Sequence, residues 1–290
     1  VRFGIIGSPV KQSVSPFLHQ WVFEKLGLKD ATYRRFEVVE PDLKDWLRKP
    51  TAKKLDGFNV TIPLKQAIIS HLAELEPAAV ELGAVNCVAR REGKLVGTNT
   101  DWTGFMKALK MNSIQPAGYQ VVVLGSGGSA RAVVYALSRL GVKETIVVAR
   151  TLVNGLRLYK ILKNVCAPME LHVAPWDASA AEIIEGCDLL INATPIGMKG
   201  YSKDSPVDVD LLEKVQVVMD LVYNPLNTRL LGEAVLAGCQ TVSGVDMLLH
   251  QALDSLDFWL GPQDWDKFPL TELREALIKK ITGFKRQGEE

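Results

Sequence analysis

In the stretch GFNVTIPLK, residues 57–65, Asn59, Thr61 and Lys65 fall within seven positions where an apolar run meets a proline. An amide, a hydroxyl and an ammonium at that spacing can hold an oxygen-rich ligand, and a carboxylate beside the ammonium would make a positioned proton donor and acceptor. In the same part of the chain Asn86 in GAVN falls inside an otherwise apolar strand-like run, and Asp101 in GTNTD follows the end of another. A buried asparagine without a partner costs about 1–3 kcal/mol, so Asn86 must meet a backbone group or a ligand. Each residue alone has a structural reading, but packing explains the five together poorly. In SPVKQSVSPFLHQ, Ser13 and Ser15 precede a helix expected to begin at Pro16. Ser15 reads as its N-cap, which leaves Ser13 without a structural task; together the two hydroxyls could take a carboxylated or polyhydroxylated ligand.

A second chemistry is written in GSGGSARA, residues 125–132. Gly125 permits a tight turn, Gly127 lets the backbone approach a pyrophosphate, and Ala130 fills the third, small position. A helix N-terminus beyond would supply N–H groups and a favourable dipole. The rival reading is a merely tight turn, but an apolar strand before it and a helical pattern after it favour a dinucleotide. The next strand ends VVART, with no acidic residue to hold ribose hydroxyls. Arg150 and Thr151 can instead meet a 2′-phosphate, which favours NADP over NAD against the alternative of a solvated strand-end charge.

The elements that must position these groups alternate between apolar runs of strand length and helix-period segments, the pattern of an α/β protein with largely parallel sheets. Strands are expected near residues 2–6, 33–38, 55–60 and 85–89, and helices near 16–26, 42–47, 64–72 and 77–82, with Pro63 suited to a first helical turn. The partition is 1–101 as one α/β domain, 102–244 as a Rossmann-type nucleotide domain, and 245–290 crossing back to the first. At 290 residues, 47% hydrophobic and 23% charged, the chain can bury a large core, and a net charge of +1 spread along it argues against nucleic acid as a partner. Cys87, Cys166, Cys187 and Cys239 have no chelating spacing, and neither do His19, His71, His172 and His250, so no metal is expected. The opening VRFGIIGSPV lacks the features of a signal peptide and no apolar run reaches membrane-spanning length, so a cytoplasmic location away from membranes is expected.

Ordered blocks through nearly the whole chain resemble the shikimate dehydrogenases of aromatic amino acid (chorismate) biosynthesis: SVSP at 13–16, GFNVTIPLK, GAVN, GTNTD, GSGGSARA, NATPIGM at 192–198, DLVYNP at 220–225 and MLLHQA at 247–252. The resemblance implies a first domain binding shikimate or 3-dehydroshikimate, a Rossmann domain binding NADP, and an active site in the cleft between them. It assigns Lys65 and Asp101 as the catalytic pair and Ser13, Ser15, Asn59, Thr61, Asn86, Tyr223 and Gln251 to the substrate. To the cofactor it assigns the turn Gly125, Ser126, Gly127, Gly128, Ser129 and Ala130, then Arg150 and Thr151, and further along Thr194, Met198, Leu221, Gly244 and Met247. A monomer or homodimer is expected. The chain departs from the family at Ala149, where Asn is usual, at Asn154, where a second basic residue often sits, and at Cys87 and Gln20. NAD therefore remains a weaker alternative cofactor. Two rival readings stand beside this one: a quinate/shikimate dehydrogenase using NAD as well, against which the Ser13–Ser15 pair speaks, and a non-catalytic ligand-binding relative, which would be expected to lack Lys65 or Asp101.

Overall fold

The alternation of apolar runs and helical segments produces two six-stranded sheets, one in each of the two units into which the chain divides. The structure is a computed structural model and describes residues 1–283. The first unit comprises Val1–Thr100 and Gln251–Lys280; of the described residues, the second comprises Asp101–His250 and 281–283. Of the C-terminal segment expected to cross back, residues 284–290 lie outside the described part. Among the described residues no helix is long and apolar enough to cross a membrane.

In the first unit the strands are β1 (Arg2–Gly7), β2 (Thr32–Glu37), β3 (Gly57–Val60), β4 (Glu74–Leu75), β5 (Cys87–Arg91) and β6 (Lys94–Thr98). Their order is β2-β1-β3-β5-β6-β4. This sheet is mixed rather than largely parallel, because β5 runs antiparallel to both β3 and β6. The reversal is made by Glu92 and Gly93, whose φ values of 50° and 80° give the doubly left-handed two-residue turn that suits a twisted hairpin. Asn86 lies just before β5 rather than inside it, and the helix expected over 64–72 is a single turn, Leu64–Ala67, followed by a 3-10 turn, Ile68–His71. Pro63 precedes that turn instead of opening it. One face of the sheet closes on Leu43, Trp46, Leu64, Ile68 and Ala79.

In the second unit β7 (Gln120–Leu124), β8 (Glu144–Ala149), β9 (Glu170–Pro175), β10 (Leu189–Asn192), β11 (Val217–Asp220) and β12 (Gln240–Ser243) are all parallel. Their order, β12-β11-β10-β7-β8-β9, is the doubly wound one of the Rossmann fold, with its switch point between β10 and β7. Most of these strands end at or near a residue that the resemblance assigns to the cofactor. All four cysteines are buried, and burial pushes the Cys187 thiol up to about 12, which leaves it an inert core group.

The returning segment completes the first unit's core. Trp259, in the helix Gly244–Leu260, stacks on Phe3 at 4.5 Å between centroids, and its indole N–H donates to the Val88 carbonyl at 2.9 Å. Gly57 lies directly under that ring: a Cβ there would collide with the indole. Because the ring is held on two sides it cannot swing away. Gly57→Ala should therefore lower unfolding free energy by about 1–3 kcal/mol, the range for overpacking a well-filled core, as measured by urea denaturation.

Candidate active site

The polar residues of the first unit gather at the ends of its central strands. The Asn86 side-chain oxygen accepts the Thr100 backbone N–H at 2.7 Å, while its amide donates to the Thr100 hydroxyl at 2.9 Å and to the Gln251 side-chain oxygen at 3.4 Å. A buried amide that had neither a backbone partner nor a ligand would be costly; here it has a backbone partner and more. The Val85 N–H, one residue earlier, donates to the Lys65 carbonyl at 2.8 Å, and Asp101 follows Thr100 directly as the first residue of the helix Asp101–Met111. Lys65 is half-buried and Asp101 buried. Thr61 is half-buried, and its N–H donates to the Ile6 carbonyl at 2.9 Å.

Asn59 is held on every side. Its oxygen accepts the Tyr33 hydroxyl at 2.7 Å, and its two amide hydrogens go to the Asn86 carbonyl at 3.2 Å and the Ser255 hydroxyl at 3.0 Å. Only a lone pair of its oxygen remains for a ligand. Sequence reasoning does not single out Tyr33, Thr100 or Ser255 as site residues, although Ser255 stands four residues beyond Gln251 on the same helical face. The serine pair reverses expectation: Ser15 is the first helical residue, not the N-cap, and it is the Ser13 hydroxyl that accepts the Ser15 N–H at 3.2 Å. The Ser13 hydroxyl also donates to that of Ser15 at 3.1 Å, and Arg35 clamps the Ser13 carbonyl through two N–H groups at 3.0 and 2.6 Å. The two hydroxyls therefore stand together on a braced loop.

In the second unit Gly125 has φ +104°, a conformation that L side chains rarely adopt, and a Cβ on it would press on Thr194 at 2.9 Å. Gly127 is different: a Cβ there would meet nothing within 4 Å, so its backbone borders open space at the start of the helix Gly128–Arg139. Open space against a helix N-terminus fits a pyrophosphate. Ser126 and Ser129 are half-buried beside it, and Ala130, two residues on from Gly128, is buried. Arg150, Thr151 and Asn154 are exposed beyond β8. Past β10 and β11 come Thr194, Met198, Leu221 and Tyr223, all half-buried, and past β12 come Gly244 and Met247, both buried. A Cβ on Gly244 would overlap the Leu221 carbonyl, so only glycine lets these two segments touch.

Sequence reasoning gives Asp220, the first residue of the DLVYNP block, no role of its own. It is fully buried at the end of β11 and accepts from Asn192, Val222 N–H and Thr228 at 2.9, 2.9 and 2.7 Å. Burial still pushes its carboxyl up to about 6, against the pull of those three donors. Among the described residues one group of three metal-ligand types converges, Glu144, Glu170 and His172. It lies at the N-terminal ends of β8 and β9, the other end of the sheet from the glycine turn.

Against this geometry, comparison with known proteins is decisive. The profile of the shikimate dehydrogenase substrate binding domain matches residues 5–88. A shikimate dehydrogenase (NADP(+)) of Bacillus cereus (strain AH187) is 37% identical over 283 residues, 97% of this chain and 99% of that protein. The chain belongs to the shikimate dehydrogenase family. Solved members of the family superpose closely. The Listeria monocytogenes shikimate 5-dehydrogenase in complex with shikimate and NAD gives a TM-score of 0.81 at 33% identity, covering 95% of this chain and 96% of that one. The Thermus thermophilus enzyme in complex with NADP(H) and shikimate gives 0.80 at 34%, covering 95% and 98%.

Under the Tyr33–Asn59 pair lies His19, fully buried and stacked on Tyr33 at 4.1 Å between ring centroids. Burial pushes its imidazole down from 6.5 to about 3; the Asn59 side chain pulls the other way, without completing a hydrogen bond of good geometry to either ring nitrogen. A base whose folded pKa is depressed contributes stability above its unfolded pKa and loses it as pH falls, since the unfolded chain then binds the extra proton. Asp220, raised in the fold, acts in the opposite sense over an overlapping range. The difference in unfolding free energy between the wild type and His19→Phe isolates the imidazole. That difference should shift by about 1.5 kcal/mol against the wild type between pH 6.5 and 5, and denaturant titrations at the two pH values would measure it.

Proposed function

We propose that this chain catalyses the reversible, NADPH-dependent reduction of 3-dehydroshikimate to shikimate. One observation carries the reading: Lys65 and Asp101 are each anchored within a residue of the Asn86–Thr100 pair, Lys65 through its carbonyl to Val85 and Asp101 through the chain itself. The near full-length likeness to shikimate dehydrogenases named for NADP(+), and to structures holding shikimate, supports the substrate and cofactor. In this reading the first unit binds the substrate and the second the dinucleotide. Ser13 and Ser15 take the carboxylate, while Thr61, Asn86, Gln251 and the remaining lone pair of Asn59 take ring hydroxyls.

When bound, the nicotinamide supplies the hydride that the carbonyl carbon receives, or takes it back in the reverse direction. Lys65 donates a proton to the carbonyl oxygen as the carbon is reduced, and recovers one from the hydroxyl in oxidation. Asp101 holds the ammonium in place. The Gly127 backbone and the helix behind it receive the pyrophosphate, with Thr194, Met198, Leu221, Gly244 and Met247 lining the rest of the dinucleotide. Arg150 and Thr151 take the 2′-phosphate. Absorbance at the nicotinamide band, with shikimate or quinate and either cofactor, tests the assignment. Faster turnover of quinate than of shikimate would overturn it.

Lys65→Ala and Asp101→Asn should each lower kcat at least ~10²-fold with NADP binding nearly intact, as expected for a positioned acid–base pair. Rates within a few fold of the wild type would remove the pair from the mechanism. With no acidic residue after β8 and a single arginine, the preference for NADP over NAD should be modest. Arg150→Ala should largely abolish it and Asn154→Arg should increase it. The ratio of kcat/KM for the two cofactors in the three proteins decides this, and a wild type that works better with NAD would refute it.

A further inference from the structure

The second unit contains a buried acidic group that no step of the reaction uses. Asp220 ends β11 with no exposed surface, and its two oxygens receive donors from three separate segments. Oδ1 accepts the Asn192 amide and the Val222 N–H, each at 2.9 Å; Oδ2 accepts the Thr228 hydroxyl at 2.7 Å. Each of those segments leads on. Asn192 ends β10, and its oxygen accepts both the N–H and the hydroxyl of Thr194, at 3.0 and 2.7 Å; its amide also reaches the Ile196 carbonyl at 3.1 Å. The Thr194 hydroxyl in turn accepts the Ile196 N–H at 3.1 Å. Thr228 caps the helix Arg229–Leu236 by accepting the Leu231 N–H at 3.3 Å. Beside Asp220, the Leu221 N–H donates to the Asn192 carbonyl at 3.0 Å.

The place of this network matters more than its size. β10 and β7 flank the switch point of the sheet, where a ligand of a doubly wound fold binds beyond the strand ends. Thr194 and the Ala193 carbonyl abut the Gly125 turn so closely that a Cβ on Gly125 would press on both, at 2.9 and 3.2 Å. On the other side Leu221 touches the backbone of Gly244. A carboxylate buried this deeply is weak evidence for stability, because removing a charge from water is rarely recovered in full by its partners. Its raised pKa is the signature of that deficit.

We propose that Asp220 is a positioning residue for the dinucleotide: through Asn192 and Thr228 its carboxylate fixes the loops that carry Thr194, Met198 and Leu221 at the switch point. This rests on the cofactor assignment above. It holds the loops through charged acceptors: an amide of the same shape would keep Oδ1 for the Asn192 and Val222 N–H groups at neutral strength only, and would turn the Thr228 hydroxyl from donor to acceptor, which loosens all three ties.

Asp220→Asn makes that change. It should raise the Kd for NADPH, followed by fluorescence titration, and the KM for NADP about tenfold, while the KM for shikimate stays within about twofold. The thermal midpoint should hold or rise, since a buried charge has gone. Unchanged cofactor constants, or equal rises in both KM values, would overturn the proposal. Thr228 supplies a second route should Asp220→Asn not fold. Thr228→Val, which loses the donor, should weaken NADPH binding, and Thr228→Ser, which keeps it, should restore wild-type binding; identical constants for the two would also overturn it. A wild type that binds NADPH but does not oxidise shikimate would defeat the functional reading instead, and the NADPH titrations would still decide the role of Asp220.

Discussion

The hydrogen bond from the Thr100 N–H to the Asn86 side-chain oxygen, 2.7 Å long and buried, is the constraint on which the chemistry of the first unit depends. It joins the residue before β5 to the residues after β6, two points that would otherwise be free to diverge as the hairpin ends. Lys65 is registered to it through Val85, and Asp101 through a single peptide bond. Gln251 and Ser255 reach the same knot from the returning helix: the Thr100 hydroxyl donates to the Gln251 carbonyl at 2.9 Å and lies 3.1 Å from the Ser255 hydroxyl. A polar network buried at strand ends is stable only if every member is satisfied. Its full satisfaction is what allows an ammonium and a carboxylate to be presented from irregular backbone without being loose.

The second unit solves a similar problem with a charge. Asp220 gathers three segments as Asn86 gathers two, but it does so with a carboxylate that the fold must desolvate. The two buried titratable groups, His19 and Asp220, then give the protein opposing acid responses. The imidazole is kept neutral and penalises low pH, whereas the carboxyl is eased by it. Neither group is exposed enough for surface screening to blunt its effect.

Much of this was legible in the sequence because it is local. The run VVVL before GSGGSARA demands a strand, a turn with positive φ at Gly125 and a helix, and all three are present. The ends of the polar blocks were legible too, since polar residues interrupting apolar runs are expensive unless something meets them. What escaped was the direction of individual bonds across long separations. Nothing near Asn59 in the chain says that Tyr33 and Ser255 occupy its oxygen and one of its hydrogens, and nothing near Asp220 says that the donor from Thr228 closes on it. The serine pair failed for a subtler reason: capping preference names residue types, and one residue of shift in where the helix starts exchanged the tasks of Ser13 and Ser15. The parallel reading of the first sheet failed because a two-residue turn at Glu92–Gly93 weighs little in a pattern of apolar periodicity.

The first unit is not contiguous in the chain, and its core is closed by the last part of it to be made. Phe3 and Asn59 leave the ribosome long before Trp259 and Ser255, whose partners they are, 196 residues separating Asn59 from Ser255. The second unit is almost wholly continuous and has every strand of its sheet by Ser243. Synthesis thus delivers the nucleotide half complete while the other half still shows the bare face that Trp259 will cover. For the same reason a fragment cut at Thr100 is not a domain: it would carry Lys65 on a sheet whose lid was left in the discarded piece.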